Sequence, residues 1–428
     1  MSILRAMYAG VSGLTAESGA LGVVGDNVAN TNTIGFKQSR AVFADVLGGA
    51  MGGNGSGSGV RMTRTQQIFA QGALLTTGQG TDVALSGDGF FCVNGTVDGQ
   101  NGTFYTRAGQ LSMRNDGALV TTEGLAVQGY ASDGNGGFST SVSKLQLPST
   151  PIPPKTTTSM KVAANLDASA TTPAGAWDPQ NPSATSNLAT SMTVYDSLGN
   201  GHAVDVYFRK NSAGSWDYHM LAQGADVAGG TAGTNVEIGT GTLNFGTDGS
   251  LLNTTTTTPA TASFNGATAG QAIALDFGTP TTAGGTGLDG LTQFGAPSSI
   301  SAQSQNGYAS GSLTGVHIGS DGVISGSYTN GQTLAAGQLA IAKFRSNDGL
   351  GRAGHNLWTA TRESGDAALG SVGTGGRAAL VGGSLEQSNV DVTQQFVELI
   401  AHQRAFQANS KTITTADQML QELMTIKQ

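Results

Sequence analysis

One cysteine in 428 residues, Cys92, leaves the chain without an intramolecular disulfide. It lies in the apolar run Gly89-Phe90-Phe91-Cys92-Val93, which predicts a small buried strand residue and not a reactive thiol. Charge is scarce too. Asp, Glu, Lys and Arg make up 11% of the chain and the net charge is -8, so no basic stripe is present to follow a phosphate backbone, and no nucleic-acid partner is expected. No run of 18 apolar residues occurs, which argues against a membrane span. The opening Met1-Ser2-Ile3-Leu4-Arg5 lacks a basic segment followed by an unbroken apolar one, so no cleaved signal peptide is expected.

The patterns of catalysis are missing as well. The glycine-rich stretch 48–59 does not end in Gly-Lys-Ser/Thr, and there is no Gly-x-Ser-x-Gly elbow and no Cys-x-x-Cys pair. Five histidines, His202, His219, His317, His355 and His402, are scattered with no two at i,i+4 spacing. His202 and His219 are the pair that adjacent strands would bring near each other, yet turn or surface roles explain them with fewer assumptions than a metal site. Asp-Gly pairs such as Asp321-Gly322 fit no calcium-binding repeat and read as turns. Asp196 and Asp205 fall in one hairpin, where a turn role outweighs paired acid catalysis. No enzyme activity, cofactor or metal is expected.

What the chain has is glycine and two apolar stripes. Its 66 glycines are about twice the usual share, and Asn-Gly and Asp-Gly pairs separate short runs of Val, Leu, Phe and Tyr, the mark of many short strands. Near the N-terminus Met7, Leu14, Leu21 and Val28 recur every seven residues with Leu4 and Val11 between them. Near the C-terminus Leu385, Val392, Leu399, Phe406, Ile413 and Leu420 repeat the spacing, with Phe396 beside them. Both ends therefore predict helices built to pack on other helices, either on each other or on copies in neighbouring chains. Gly10, Gly13, Gly19, Gly22 and Gly25 weaken the first helix, each by up to about 1 kcal/mol. Gln403, Ser410 and Asp417 narrow the seam on the second. Ends that order only on assembly fit both observations.

The fold class that follows is mainly β with a terminal α-helical coiled coil. The N- and C-terminal helices are paired and the β domains are inserted between them. Residues 1–31 with 385–428 form the helical part, and 32–70 with 361–384 connect it to a middle β domain of 71–147 with 300–360. An inserted outer β domain spans 148–299. The segment 48–59 reads as a flexible loop, Pro148-Ser149-Thr150-Pro151-Ile152-Pro153-Pro154 as a stiff connector, and Thr254 to Thr258 as a surface loop.

Within this frame particular residues resemble a known family. Ala29-Asn30-Thr31-Asn32-Thr33-Ile34-Gly35-Phe36-Lys37 resembles the N-terminal signature of the bacterial flagellar rod and hook axial proteins. Ser388-Asn389-Val390-Asp391, followed by Gln403-Arg404-Ala405-Phe406-Gln407-Ala408-Asn409, resembles the C-terminal one. Gly87-Asp88-Gly89-Phe90-Phe91 and Tyr105-Thr106-Arg107-Ala108-Gly109 look like the β domain of that family, and Thr193 to Asn200 with Trp216 to His219 like the domain inserted in hook proteins. Rod proteins of the family are shorter and lack that insertion, so the hook branch is the first reading. A distal-rod or hook-like paralogue is the second, since Met1 to Tyr8 has a rod-like character. A secreted β-rich adhesin is the third.

The resemblance implies a structural subunit of a curved, flexible hollow tube that acts as a universal joint between the motor's rod and the filament. It implies Asn30, Thr33, Gly35, Phe36, Lys37, Ser388, Asn389, Val390, Asp391, Gln403, Arg404 and Asn409 as signature residues. The assembly surface would be Leu4, Met7, Val11, Leu14, Leu21, Val28, Val392, Phe396, Leu399, Phe406, Ile413 and Leu420. The implied partners are further copies of the chain, the distal rod, hook cap and hook–filament junction proteins, and the flagellar export apparatus. The implied location is extracellular, in the flagellum, after export without a cleaved signal.

Overall fold

A computed structural model describes residues 3–47, 57–134, 136–147 and 151–426. Two compact units emerge. The first comprises Met1–Ser149, Leu313–Ser327 and Thr333–Gln428; the second comprises Thr150–Ser312 and Tyr328–Gln332. No helix among the described residues is long and apolar enough to cross a membrane.

In the first unit the helices Ile3–Ala29 and Val392–Ile426 are the expected terminal elements. The first runs into the loop through Asn30, where side-chain hydrogen bonds replace the helical ladder. The hairpin Ser39–Leu47 with Gly57–Gln67 then packs along it: Met62 Sδ would lie 2.8 Å from a Cβ at Gly19. Residues 48–56 of the glycine-rich stretch lie outside the described residues, as do 148–150 of the proline-rich connector. Gly57 to Gly59, read as part of a loop, belong instead to the second hairpin strand, because the pairing of Leu47 with Gly57 and of Asp45 with Val60 holds them in the ladder.

The β part of this unit is built on a sheet whose main path runs Leu313–Ile318, Val323–Tyr328, Thr333–Leu339, Ala126–Ser132, Phe90–Val97, Gln100–Thr106, Leu357–Thr359 and Gly351–Gly354. Alternating runs expected as strands thus pair across great sequence distance. Val83, Leu85, Phe91, Val93, Leu119, Val127, Leu145, Ile324, Leu339 and Ile341 make its fully buried core. Cys92 faces a smaller aromatic cluster with Phe90, Tyr105, Phe344 and Trp358. Two short ladders bring the returning chain back to the outgoing one: Ala379–Gly382 along Val83–Ser86, and Ser384–Glu386 along Leu74–Thr76.

This last ladder corrects the sequence reading of Leu385. It is a strand residue, and the C-terminal helix begins at Val392. Asp391 sets that start, since its Oδ1 accepts the backbone N–H of Thr393 at 2.8 Å and of Gln394 at 3.1 Å, an N-cap.

The second unit holds a five-stranded antiparallel sheet, Leu188–Tyr195, Gly201–Ser212, Ser215–Gln223, Asn235–Phe245 and Leu251–Thr258, with Trp216, Phe208 and Val206 fully buried beneath it. The turn between its first two strands is held by Asp196, whose Oδ1 takes the N–H groups of Leu198 and Asn200 at 2.8 and 2.9 Å. Thr254 to Thr258 are not a loop but the edge strand of this sheet. β-branched threonines suit a pleated edge with exposed side chains, a role that a polar composition conceals. The strand Ser299–Gln305 also belongs here and runs antiparallel to Ser159–Asn165.

Candidate assembly site

The terminal helices pair antiparallel. Gly10 faces Ile413, Gly13 faces Asn409, Glu17 Oε2 lies 2.6 Å from His402 Nδ1, and Asn27 Nδ2 donates to Gln395 Oε1 at 2.8 Å, so one helix climbs as the other descends. The covered face of the first helix is Gly10, Gly13, Ala16, Ala20, Val24 and Asn27. Four of these, Gly10, Gly13, Ala16 and Ala20, are small, which lets the two axes approach closely.

The stripe read from the sequence is therefore not the seam of this pair. Leu4 and Val11 are 54% and 47% exposed, and Met7, Leu14, Leu21 and Val28 are half-buried beside the small-residue face. On the C-terminal helix Leu399, Ile413 and Leu420 are half-buried, whereas Val392, Phe406 and Phe396 are exposed, the last at 50%. Tyr8, 70% exposed, and Val397 and Ile400, both exposed, extend these open apolar rows and went unremarked in the sequence reading.

Below the helices the two signatures meet. Asn27 Oδ1 accepts Ser39 N–H while its Nδ2 donates to Ser39 O and to Gln395, so one amide joins helix, hairpin and C-terminal helix. Asn30 Nδ2 donates back to Asp26 O, and its Oδ1 accepts the Thr33 hydroxyl at 3.0 Å. Phe36 is buried. Asn356 Nδ2 donates to Ile34 O at 2.7 Å from the turn between Gly351–Gly354 and Leu357–Thr359. From the C-terminal side Asn389 accepts Gln38 N–H at 2.7 Å and donates to Ile68 O and Ala70 O. Ser388 Oγ accepts Val390 N–H. Gln403 and Arg404 are exposed, apart from this junction, and Asn409 lies against Gly13.

At the centre of the junction is an ion cluster. Glu386 Oε1 lies 2.6 Å from Lys37 Nζ and accepts the Gly72 N–H at 3.0 Å, and Oε2 lies 3.3 Å from Arg107 Nη1. Lys37 Nζ also donates to Ala70 O, and Arg107 Nη2 to Gly87 O. Burial pulls the Lys37 ammonium below its usual range, Glu386 opposes that shift, and the nearby Arg107 charge adds to it. Burial likewise lowers Arg107, again against Glu386.

Glu386, Asn27, Gln395 and Asn356 were not found from the sequence. A lone Glu or Asn reads as solvated, and the signals that could have found Glu386 are the scarcity of charge and the apolar company of Leu385.

Elsewhere burial pushes the Cys92 thiol up to about 11, in keeping with an inert strand residue. His202 and His219 do not meet. His202 Nε2 lies 3.1 Å from Asp196 and its ring stacks on Phe264 at 4.0 Å; His219 Nδ1 lies 2.7 Å from Glu237 and stacks on Trp177 at 3.9 Å. Among the described residues no three ligating side chains converge on a metal position.

Comparison with known proteins follows this geometry. Residues 7–37 match the family described as flagella basal body rod protein, and 381–426 the flagellar basal body rod FlgEFG protein C-terminal family. Residues 84–165 match the flagellar hook protein FlgE/F/G D1 domain, and 165–308 the flagellar basal body protein FlaE D2 domain. The chain is 36% identical to the flagellar hook protein FlgE of Escherichia coli K12, over 97% of this chain and 98% of that protein. It is 33% identical to the Borreliella burgdorferi hook protein FlgE over 99% and 100%. Among solved structures, the Helicobacter pylori flagellar hook protein FlgE2 covers 72% of this chain and 98% of its own, with a TM-score of 0.51 at 14% identity, a likeness of fold. On full-length similarity and on the matched domains in order, this chain belongs to the flagellar hook protein family.

Proposed function

We propose that the chain is a structural subunit that self-assembles into the curved, flexible hollow tube of the flagellar hook, the universal joint that passes motor torque from rod to filament. In this reading the terminal helices line the tube, residues 71–147 with 313–360 form the middle β domain, and 151–312, which include the strand Ser299–Gln305, the outer one. The distal rod, hook cap and hook–filament junction proteins would meet its ends. The chain would leave the cell through the flagellar export apparatus and act outside it, with no catalytic role.

One observation carries the reading: the paired helices keep rows of large apolar side chains uncovered, Leu4, Tyr8 and Val11 on one and Phe396, Val397 and Ile400 on the other. Contiguous apolar surface of this kind is what a neighbouring copy would bury. The near full-length similarity to hook proteins favours this over a distal-rod paralogue or an adhesin. Few charges and few aromatics on Gly-, Ser- and Thr-rich β domains suit neighbours that must slide, because binding hot spots are dominated by Trp, Tyr and Arg.

The test is Phe396→Asp. A charge on an exposed position leaves the monomer fold and its circular dichroism unchanged, while pelleting of polymer on ultracentrifugation is lost. Polymer of normal yield would count against the reading.

A further inference from the structure

We propose that the buried carboxylate of Glu386 is a positioning group that couples the two ends of the chain, so that the loop Asn30 to Lys37 and the strand Ser384–Glu386 are seated together or not at all. The inference rests on the ion cluster and the main-chain bond beside it, and stands whether or not the terminal helices polymerise.

The geometry is that of a shared counter-ion. The side chains of Lys37 and Glu386 are 0% exposed and that of Arg107 is 2% exposed. Three stretches of chain converge on the carboxylate that the returning strand carries: Lys37 from the N-terminal signature, Gly72 from the segment ahead of Leu74–Thr76, and Arg107 from the end of Gln100–Thr106. The main chain joins the same two ends, since Gly35 N–H donates to Glu386 O at 2.7 Å.

Two cations share one anion, and this asymmetry decides the behaviour. With Ser384–Glu386 out of place, Lys37 and Arg107 would be two buried like charges without a buried counter-ion, the exposed Asp88 acting on Arg107 alone. A buried cation that loses its partner is strongly destabilised, so the loop would leave as well. With the loop out, Glu386 would lose Lys37, its shorter contact, and the main-chain bond from Gly35. Each half-seated state is therefore worse than apolar packing alone would make it. Coupling of this kind is reciprocal, as linkage requires.

Hydrogen exchange on the full-length chain tests it, read on peptides covering 30–38 and 384–389, with Ser215–Gln223 of the second unit as internal control. In the unaltered chain both peptides exchange with one common opening rate. Glu386→Gln keeps the shape and removes the charge; exchange of both peptides rises by at least about tenfold and the control does not move. Lys37→Met, which leaves the Glu386–Arg107 pair, speeds 384–389 together with 30–38. The triple change Lys37→Met, Arg107→Met, Glu386→Leu fills the site with apolar side chains and leaves the bonds from Gly35 N–H to Glu386 O and from Gln38 N–H to Asn389 in place; protection returns in both peptides, an outcome that loss of the cluster's hydrogen bonds alone would not give. The proposal is overturned if Glu386→Gln leaves 30–38 protected, if Lys37→Met speeds 30–38 alone, or if the triple variant exchanges as fast as Glu386→Gln. Should Glu386→Gln also expose the control peptide, the Lys37→Met result decides.

Discussion

Gly35 has φ +70°, and a Cβ there would lie 2.7 Å from Ala108 N, a backbone atom that cannot turn aside. Left-handed backbone costs a residue with a Cβ about 1–2 kcal/mol before any clash is counted. Gly35→Ala therefore lowers the melting temperature. Gly22 and Gly25 are the opposite case: both lie inside the first helix and a Cβ at either meets nothing within 4 Å. Ala is favoured over Gly in a helix by roughly 0.5–1 kcal/mol. Gly22→Ala and Gly25→Ala each raise the melting temperature in thermal unfolding followed by circular dichroism; a fall would show that those positions are already constrained in the monomer. Gly35, Lys37 and Asn389 were legible because their motif is recognisable. Glu386 and Asn27 were not, since their roles depend on partners hundreds of residues away in one case and on a hairpin and a second helix in the other.

The terminal helices illustrate what periodicity can and cannot reveal. Seven-residue spacing gave the existence and the pairing of both helices, and the Asn-rich stretch after Ala29 marked where the first one stops. It did not give the face. Hydrophobicity ranks Leu and Val above Gly and Ala, yet Gly10, Gly13, Ala16 and Ala20 make the close contact, because axes approach where side chains are short. Thr254 to Thr258 failed for a related reason: polarity argued for a loop while the shape of threonine fits an edge strand. The start of the C-terminal helix depends on one side chain. Asp391→Ala removes the acceptor for Thr393 and Gln394 N–H at a cost of about 1 kcal/mol. Amide exchange in the first turn accelerates while the middle of the helix, near Asn409, keeps its protection. Equal acceleration along the whole helix would mean that the cap is not a local device.

The whole molecule divides its tasks by depth in the sequence. Two β units with well-filled cores are complete as they stand, whereas the helices at the two ends cover a small-residue face and leave their large apolar rows open. Such a chain is finished only in company. Its net charge of -8, spread over a chain with little charge of either sign, leaves apolar burial as the main attraction available between copies. The central claim is that the helical ends, and not the β units, drive that association. Deleting residues 1–26 and 403–428 together preserves Asn27, Gln395 and the Lys37–Glu386–Arg107 cluster while removing Leu4, Tyr8, Val11 and Phe406, and Phe396→Asp, Val397→Asp and Ile400→Asp in the same chain remove the rest of the open apolar rows. Negative-stain images of the concentrated protein should then show discrete particles where the full chain gives tubes; tubes formed by the shortened chain would contradict the account.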